Sequence, residues 1–184
     1  IHMSNSPHFR GYTNIHDEIT REKPDSREQF DFMPEYEAIP LDQIPHDQPW
    51  LRLQGPNQWP DSLPELRPTF IELQERQTEL AKSMLTAFAL ALGQDEEIFA
   101  PTYAHKPSVL SKAIHYPGVD GEQGVGPHKD SGYITFVQQE DQAGLEVLKD
   151  DEWILAEPIE GTFVVNIGEL LEIASQGYLK ATLH

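Results

Sequence analysis

A mainly β fold braced by one long helix, an α+β antiparallel sandwich or jelly roll, follows from three features of this 184-residue sequence. One stretch after residue 60 repeats its apolar residues at helical spacing. A series of short apolar or alternating runs follows it, separated by turn residues roughly every 8–12 positions, as in all-β sandwiches and jelly rolls. The residues before the helix carry no sustained period and are rich in Pro, Asp, Glu and Gln.

Residues 1–60 therefore read as an extended, loop-dominated arm with short strands near 29–32 and 38–41, closed by the turn-rich "GPNQWPDSLP" of 55–64. The bracing helix occupies 61–93. Ser62 and Glu65 match a capping box, and Pro64 and Pro68 fit only an opening turn. Leu66, Phe70, Leu73, Leu80, Met84 and Phe88 recur at helical spacing, and Gly93 is placed to end the helix. Strands are expected at 109–116, 133–138, 144–148, 153–156, 163–166 and 178–184, with a short helical turn at 168–175. The organisation is thus a single domain fragment over 1–184: an arm (1–60), a bracing helix (61–93) and jelly-roll strands (109–184) that carry the site.

Composition narrows the function. The formal net charge is −18, from 31 acidic against 13 basic residues. That balance repels phosphate, which argues against a nucleic-acid partner and an anionic membrane surface. There are no cysteines, so any transition metal must be held by imidazole and carboxylate. No apolar stretch approaches the ~20 residues of a membrane span, and no signal sequence is visible. A cytoplasmic enzyme or binding protein is expected, with its oligomeric state left open.

The chemistry concentrates in "GVGPHKDSGYITF", residues 124–136. In extended chain, residues i and i+2 project to one side, so His128 and Asp130 can aim at one point. A His-x-Asp triplet alone is weak evidence, and a surface turn capped by Asp130 explains it as well. His16-Asp17-Glu18, in the polar arm, reads as solvated loop charge. His184 changes the balance, because it ends an alternating run in the 178–184 segment. Two imidazoles and one carboxylate can occupy one face of an octahedral metal and leave adjacent positions open, the pattern of oxygen-activating non-haem Fe(II) centres. Zinc hydrolases also use His and carboxylate, with tetrahedral geometry, and the residue types do not exclude them.

The ordered series "IHYPG" (114–118), "GPHKDSGYITFVQQ" (126–139) and the run from Ala143 to His184 resembles the isopenicillin N synthase-like iron(II)/2-oxoglutarate-dependent dioxygenases. "HFRGYT" (8–13), "KPDSREQFDF" (23–32), "NQWP" (57–60) and "FALALG" (88–93) extend the likeness over nearly the whole chain. The resemblance implies a double-stranded β-helix (jelly roll) and Fe(II) held by His128, Asp130 and His184. It implies 2-oxoglutarate and dioxygen as co-substrates, with Tyr116 touching the 2-oxoglutarate carboxylate. The implied reaction hydroxylates, desaturates or cyclises a small molecule and releases succinate and CO2. Asn166, Gly168 and Glu169 fall in the family's N-x-G-[DE] turn and read as structural.

Two departures accompany the likeness. A polar residue of some members is Ile114 here. The strand and helices that usually precede "RGY", and the Arg-x-Ser pair that follows the last histidine, are not in the sequence, so the fold is expected to be incomplete at both ends. The alternatives are an isopenicillin N synthase-type oxidase that needs no 2-oxoglutarate, and a non-catalytic jelly-roll binding module.

Overall fold

Antiparallel pairing makes up every strand ladder of the computed structural model, which describes residues 1–118 and 122–184. The chain divides into two compact units, residues 1–125 and residues 126–184.

The first unit holds β1 (Gly11–Thr13), β2 (Ile19–Thr20), β3 (Lys23–Pro24), β4 (Glu28–Phe32), α1 (Leu66–Ala91), α2 (Ala100–Tyr103) and β5 (Ser111–His115). β4 is the central strand of a β1–β4–β5 sheet, with Phe30 opposite Tyr12 on one side and Ala113 on the other. Its alternation sends Phe30 and Phe32 to one face, where they meet Trp59 and Phe70 with ring centroids 4.9–6.4 Å apart. The opposite face is polar yet buried. Gln29 donates to Asp31, and the Lys112 ammonium lies 3.2 Å from the Asp31 carboxylate.

The arm is largely loop, but its backbone polar groups are not left bare. The buried Arg10 guanidinium donates to the carbonyls of Gly55 (2.8 Å) and Leu53 and to Asn57 Oδ1 (3.1 Å). Asn57 in turn accepts from the Met33 N–H and donates to the Met33 carbonyl. Gln58 bridges the carbonyls of His2 and Arg10. The strand expected at 38–41 does not form, since Pro40 leads into a 3₁₀ turn at Leu41–Gln43.

α1 corrects two expectations. It begins at Leu66 with Glu65 as N-cap and no side-chain capping bond, so the Ser62–Glu65 capping box is not made. Its buried residues are Gln74, Leu85 and Ala89, while Leu73 and Leu80 are exposed. Phe70 faces the core as expected, but from residue 73 onward the most buried positions sit one place round from the expected stripe. Gln74 accounts for part of that rotation, because its amide donates to Ser111 Oγ at 2.8 Å and so ties the helix to β5. The C-terminus is as expected: Gly93 takes a left-handed φ of 68°, Gln94 N–H reaches the Ala89 carbonyl, and Gly93 N–H reaches that of Leu90.

The second unit contains β6 (Ile134–Val137), β7 (Glu146–Lys149), β8 (Glu152–Leu155), β9 (Val164–Ile167) and α3 (Glu169–Ala174). β6 pairs with β9, and β7 with β8 through a two-residue turn at Asp150 and Asp151, both at positive φ. That turn matches the right-handed strand twist, and aspartate tolerates the conformation. The strand expected at 178–184 is not a ladder, because the chain bends at Tyr178 and Leu179 before running on irregularly. The result is a mixed helix-and-strand fold with no closed barrel among the described residues. No helix among them is long and apolar enough to cross a membrane.

Candidate metal centre

Segment 126–130 lies just before β6 and has no ladder of its own. It is fixed by pairing with the segment that ends at His184. His128 N–H donates to the His184 carbonyl at 2.9 Å, and His184 N–H donates back at 3.0 Å. Residues that exchange both backbone bonds stand directly opposite, with side chains on one face. The two imidazoles accordingly lie side by side, centroids 4.5 Å apart. Leu148 N–H donates to the Leu183 carbonyl at 2.8 Å, tying this pair to β7.

Two-residue periodicity then brings in Asp130. Its carboxylate oxygens lie 3.9 Å from His128 Nε2 and 3.8 Å from His184 Nε2. Among the described residues, these three form the one group of at least three His, Asp or Glu able to hold a metal, with ligand atoms all within 4.8 Å of each other. Separations of 3.8 and 3.9 Å are too long for hydrogen bonds but fall within twice a metal–nitrogen bond of about 2.1 Å.

The ring nitrogens are sorted as a metal requires. His128 Nδ1 is 3.0 Å from the Gly126 carbonyl, and His184 Nδ1 is 3.1 Å from the Thr182 carbonyl. A carbonyl can only accept, so each Nδ1 carries a proton, and each Nε2 is the ring nitrogen that faces Asp130 and is placed to bind a metal. Such outer hydrogen bonds fix tautomer and ring orientation in metal-binding histidines. The donor set of two neutral imidazoles and one carboxylate fits Fe(II).

Sequence reasoning missed a further contributor. Asn166, buried on β9, donates through Nδ2 to Asp130 Oδ2 at 3.1 Å and lies 3.3 Å from His184 Nε2. Its signal in the sequence was the N-x-G-E turn, read as structural alone. The same turn secures the Asp130 segment. Glu169 N–H donates to the Asp130 carbonyl at 2.8 Å, Leu170 N–H to that of Gly132, and Gly168 N–H to that of Tyr133. Gly168 sits so close that an added Cβ would fall 2.0 Å from the Gly132 oxygen.

Tyr116 belongs to the first unit, just past β5, and is half-exposed. Its side chain neighbours the Arg27 guanidinium, which pairs with Glu18 at 2.7 Å and Asp25 at 3.4 Å. Ile114 lies on β5 opposite Gln29. The arm triplet does not converge on a site: His16 pairs with Glu122, Asp17 with His2 and Asn14, and Glu18 with Arg27.

Residues 106–184 match the model of the 2OG-Fe(II) oxygenase superfamily, and residues 1–62 match that described as the non-haem dioxygenase in morphine synthesis N-terminal region. The chain belongs to the 2OG-Fe(II) oxygenase superfamily. The match is to this superfamily at large, of which isopenicillin N synthase-like is a narrower label than the findings carry. As a superfamily member the chain is 32% identical to homoarginine-6-hydroxylase 2-ODD-C23 of Glycine max, over 100% of this chain and 57% of that protein. A full-length Neurospora crassa protein, solved in complex with alpha-KG, superposes with a TM-score of 0.76 at 27% identity, over 97% of this chain and 56% of that one. JOX2, solved with 2OG, Fe and JA, gives 0.75 at 26% identity, over 95% and 49%. The chain spans about half the length of the curated relatives it matches.

Proposed function

We propose that the protein is a non-haem Fe(II)- and 2-oxoglutarate-dependent dioxygenase that hydroxylates, desaturates or cyclises a small molecule. The observation that carries this reading is the convergence of His128, Asp130 and His184, with both Nε2 atoms turned to one place and both Nδ1 atoms engaged by carbonyls. The arm (1–60), helix (61–93) and strands (109–184) are read as parts of one oxygenase domain of double-stranded β-helix type, working in the cytoplasm. Membership of the superfamily supports the reaction class. One relative is named a homoarginine-6-hydroxylase and one neighbour is solved with JA bound, so the reading names a class of reaction and not one substrate.

His128 Nε2, one Asp130 oxygen and His184 Nε2 are the atoms assigned to the metal. When bound there, Fe(II) would supply the means for dioxygen to react with 2-oxoglutarate, one oxygen atom of O2 ending in succinate as CO2 leaves and the other serving as the two-electron oxidant of the substrate. The protein's part is positional. The Gly126 and Thr182 carbonyls engage each Nδ1 and so aim each Nε2 at the assigned metal position. Asp130 offsets one of the two metal charges, and Asn166 keeps one carboxylate oxygen engaged so that the other is presented. Tyr116 is assigned to the 2-oxoglutarate carboxylate, with the Arg27 guanidinium beside it.

The test uses the native protein with Fe(II) and 2-oxoglutarate. Anaerobically, a visible metal-to-ligand charge-transfer band is expected. In air, succinate should form, and Asp130→Ala should abolish both signals. A wild-type protein that binds Fe(II) and 2-oxoglutarate without the band, and forms no succinate with a metabolite extract, would overturn the assignment.

A further inference from the structure

We propose that Glu172, in the middle of α3, is a positioning residue for the metal centre, clasping the two chain segments that carry its ligands. The inference rests on the metal-centre reading above. One carboxylate meets both segments. Ala181 N–H donates to Glu172 Oε2 at 2.8 Å, three residues before His184. Lys129, which lies between His128 and Asp130, places its ammonium 3.5 Å from the same oxygen. Lys180 Nζ is 3.4 Å from Oε1.

These contacts matter because neither segment belongs to a strand ladder. Segment 178–184 bends at its start, so its path to His184 depends on local anchors. α3 supplies several. Gly177 N–H and Ser175 Oγ–H donate to the Glu172 carbonyl, and Leu179 N–H donates to Ser175 Oγ. Glu169, one turn earlier, holds the Asp130 carbonyl by its N–H. A single short helix thereby grips the aspartate segment by its backbone and the histidine segment by a side chain.

Of the three contacts, the backbone one dominates. Exposed lysine–carboxylate pairs contribute little, and Lys180 is largely exposed. Ala181 is buried, and its N–H needs an acceptor that water does not supply. That same bond heads the reasons why the Glu172 carboxyl lies below its ordinary range. The acceptor, more than the charge, is what positions His184.

The experiment is an anaerobic Co(II) titration of the native full chain, read by d–d absorption, with far-UV circular dichroism of each apo protein alongside. Glu172→Ala and Glu172→Asp, which withdraws the acceptor by one methylene, are expected to weaken Co(II) binding about 10–100-fold and to alter the band shape. Glu172→Gln, which keeps an acceptor without the charge, should stay near wild type. Should Glu172→Ala fail to fold, the Asp and Gln pair carries the test. Wild-type affinity and spectrum in Glu172→Asp would overturn the role of Glu172 while leaving the centre intact, as would a loss in Glu172→Gln equal to that in Glu172→Asp. No Co(II) binding by the wild type would instead defeat the metal-centre reading, and this inference with it.

Discussion

Replacing Asn166 by alanine removes a neutral side chain that touches two of the assigned ligands. Asn166 Nδ2 lies 3.1 Å from Asp130 Oδ2 and 3.3 Å from His184 Nε2. The two contacts do not count equally. A lone pair on Nε2 cannot accept from Asn166 and bind a metal at once, so only the Asp130 bond persists in the loaded centre. A hydrogen bond to a charged group contributes about 1.5–3 kcal/mol, and about 1.4 kcal/mol corresponds to tenfold in affinity. Asn166→Ala is therefore expected to weaken Fe(II) or Co(II) binding about 10–100-fold, the range typical of outer-shell changes. Anaerobic metal titration measures the loss, and thermal melting of the apo protein separates it from unfolding. A folded Asn166→Ala protein that binds metal within about twofold of wild type would refute the reasoning, since an effect that small lies well below the ~1.5 kcal/mol assigned to the bond.

Three further outcomes follow from the packing. Phe32→Ala, at the centre of the Phe30–Trp59–Phe70 cluster, should cost about 3–5 kcal/mol in urea unfolding. Gly168→Ala would force a Cβ to within 2.0 Å of the Gly132 oxygen. It should destabilise by at least the ~1–3 kcal/mol of overpacking and displace Asp130, reducing metal affinity in the same protein. Burial pushes the Glu35 carboxyl up, but hydrogen bonds from Trp59, Arg67 and the Asn57 N–H outweigh it and hold it below its ordinary value. A carboxyl depressed in the folded state contributes stability that is complete above its unfolded pKa and fades as pH falls through the folded one. Glu35→Gln should flatten that acid-side decline in thermal melts taken below about pH 4.5.

Much of the architecture was legible because it depends on local rules. Helical periodicity and Gly93 bounded α1, and turn residues bounded β5 to β9 within one or two positions. The grouping of His128, Asp130 and His184 was legible for a different reason: extended spacing constrains the first two, the alternating run that ends at His184 offers the third, and the family resemblance joins them. What was not legible depends on partners distant in sequence. The inward face of α1 is shifted by Gln74 reaching Ser111, which no periodicity reports. The arm is ordered by Arg10 and Asn57 binding carbonyls of other segments, in place of a hydrophobic pattern. Alternation in 178–184 suggested a strand, yet the carboxylate of Glu172 and the backbone of His128 supply the partners there. Asn166 was readable as a turn residue, and only its place opposite Thr135 on the β6–β9 ladder turns its amide to the ligands.

The most direct measurement of the central claim is a crystal structure of the native protein loaded anaerobically with Mn(II) and 2-oxoglutarate, read by anomalous scattering. One peak bonded to His128 Nε2, an Asp130 oxygen and His184 Nε2, with the remaining positions on one side taken by 2-oxoglutarate and water, is the predicted result. A peak that lacks any one of the three, or an ion enclosed by four protein ligands, would contradict the account.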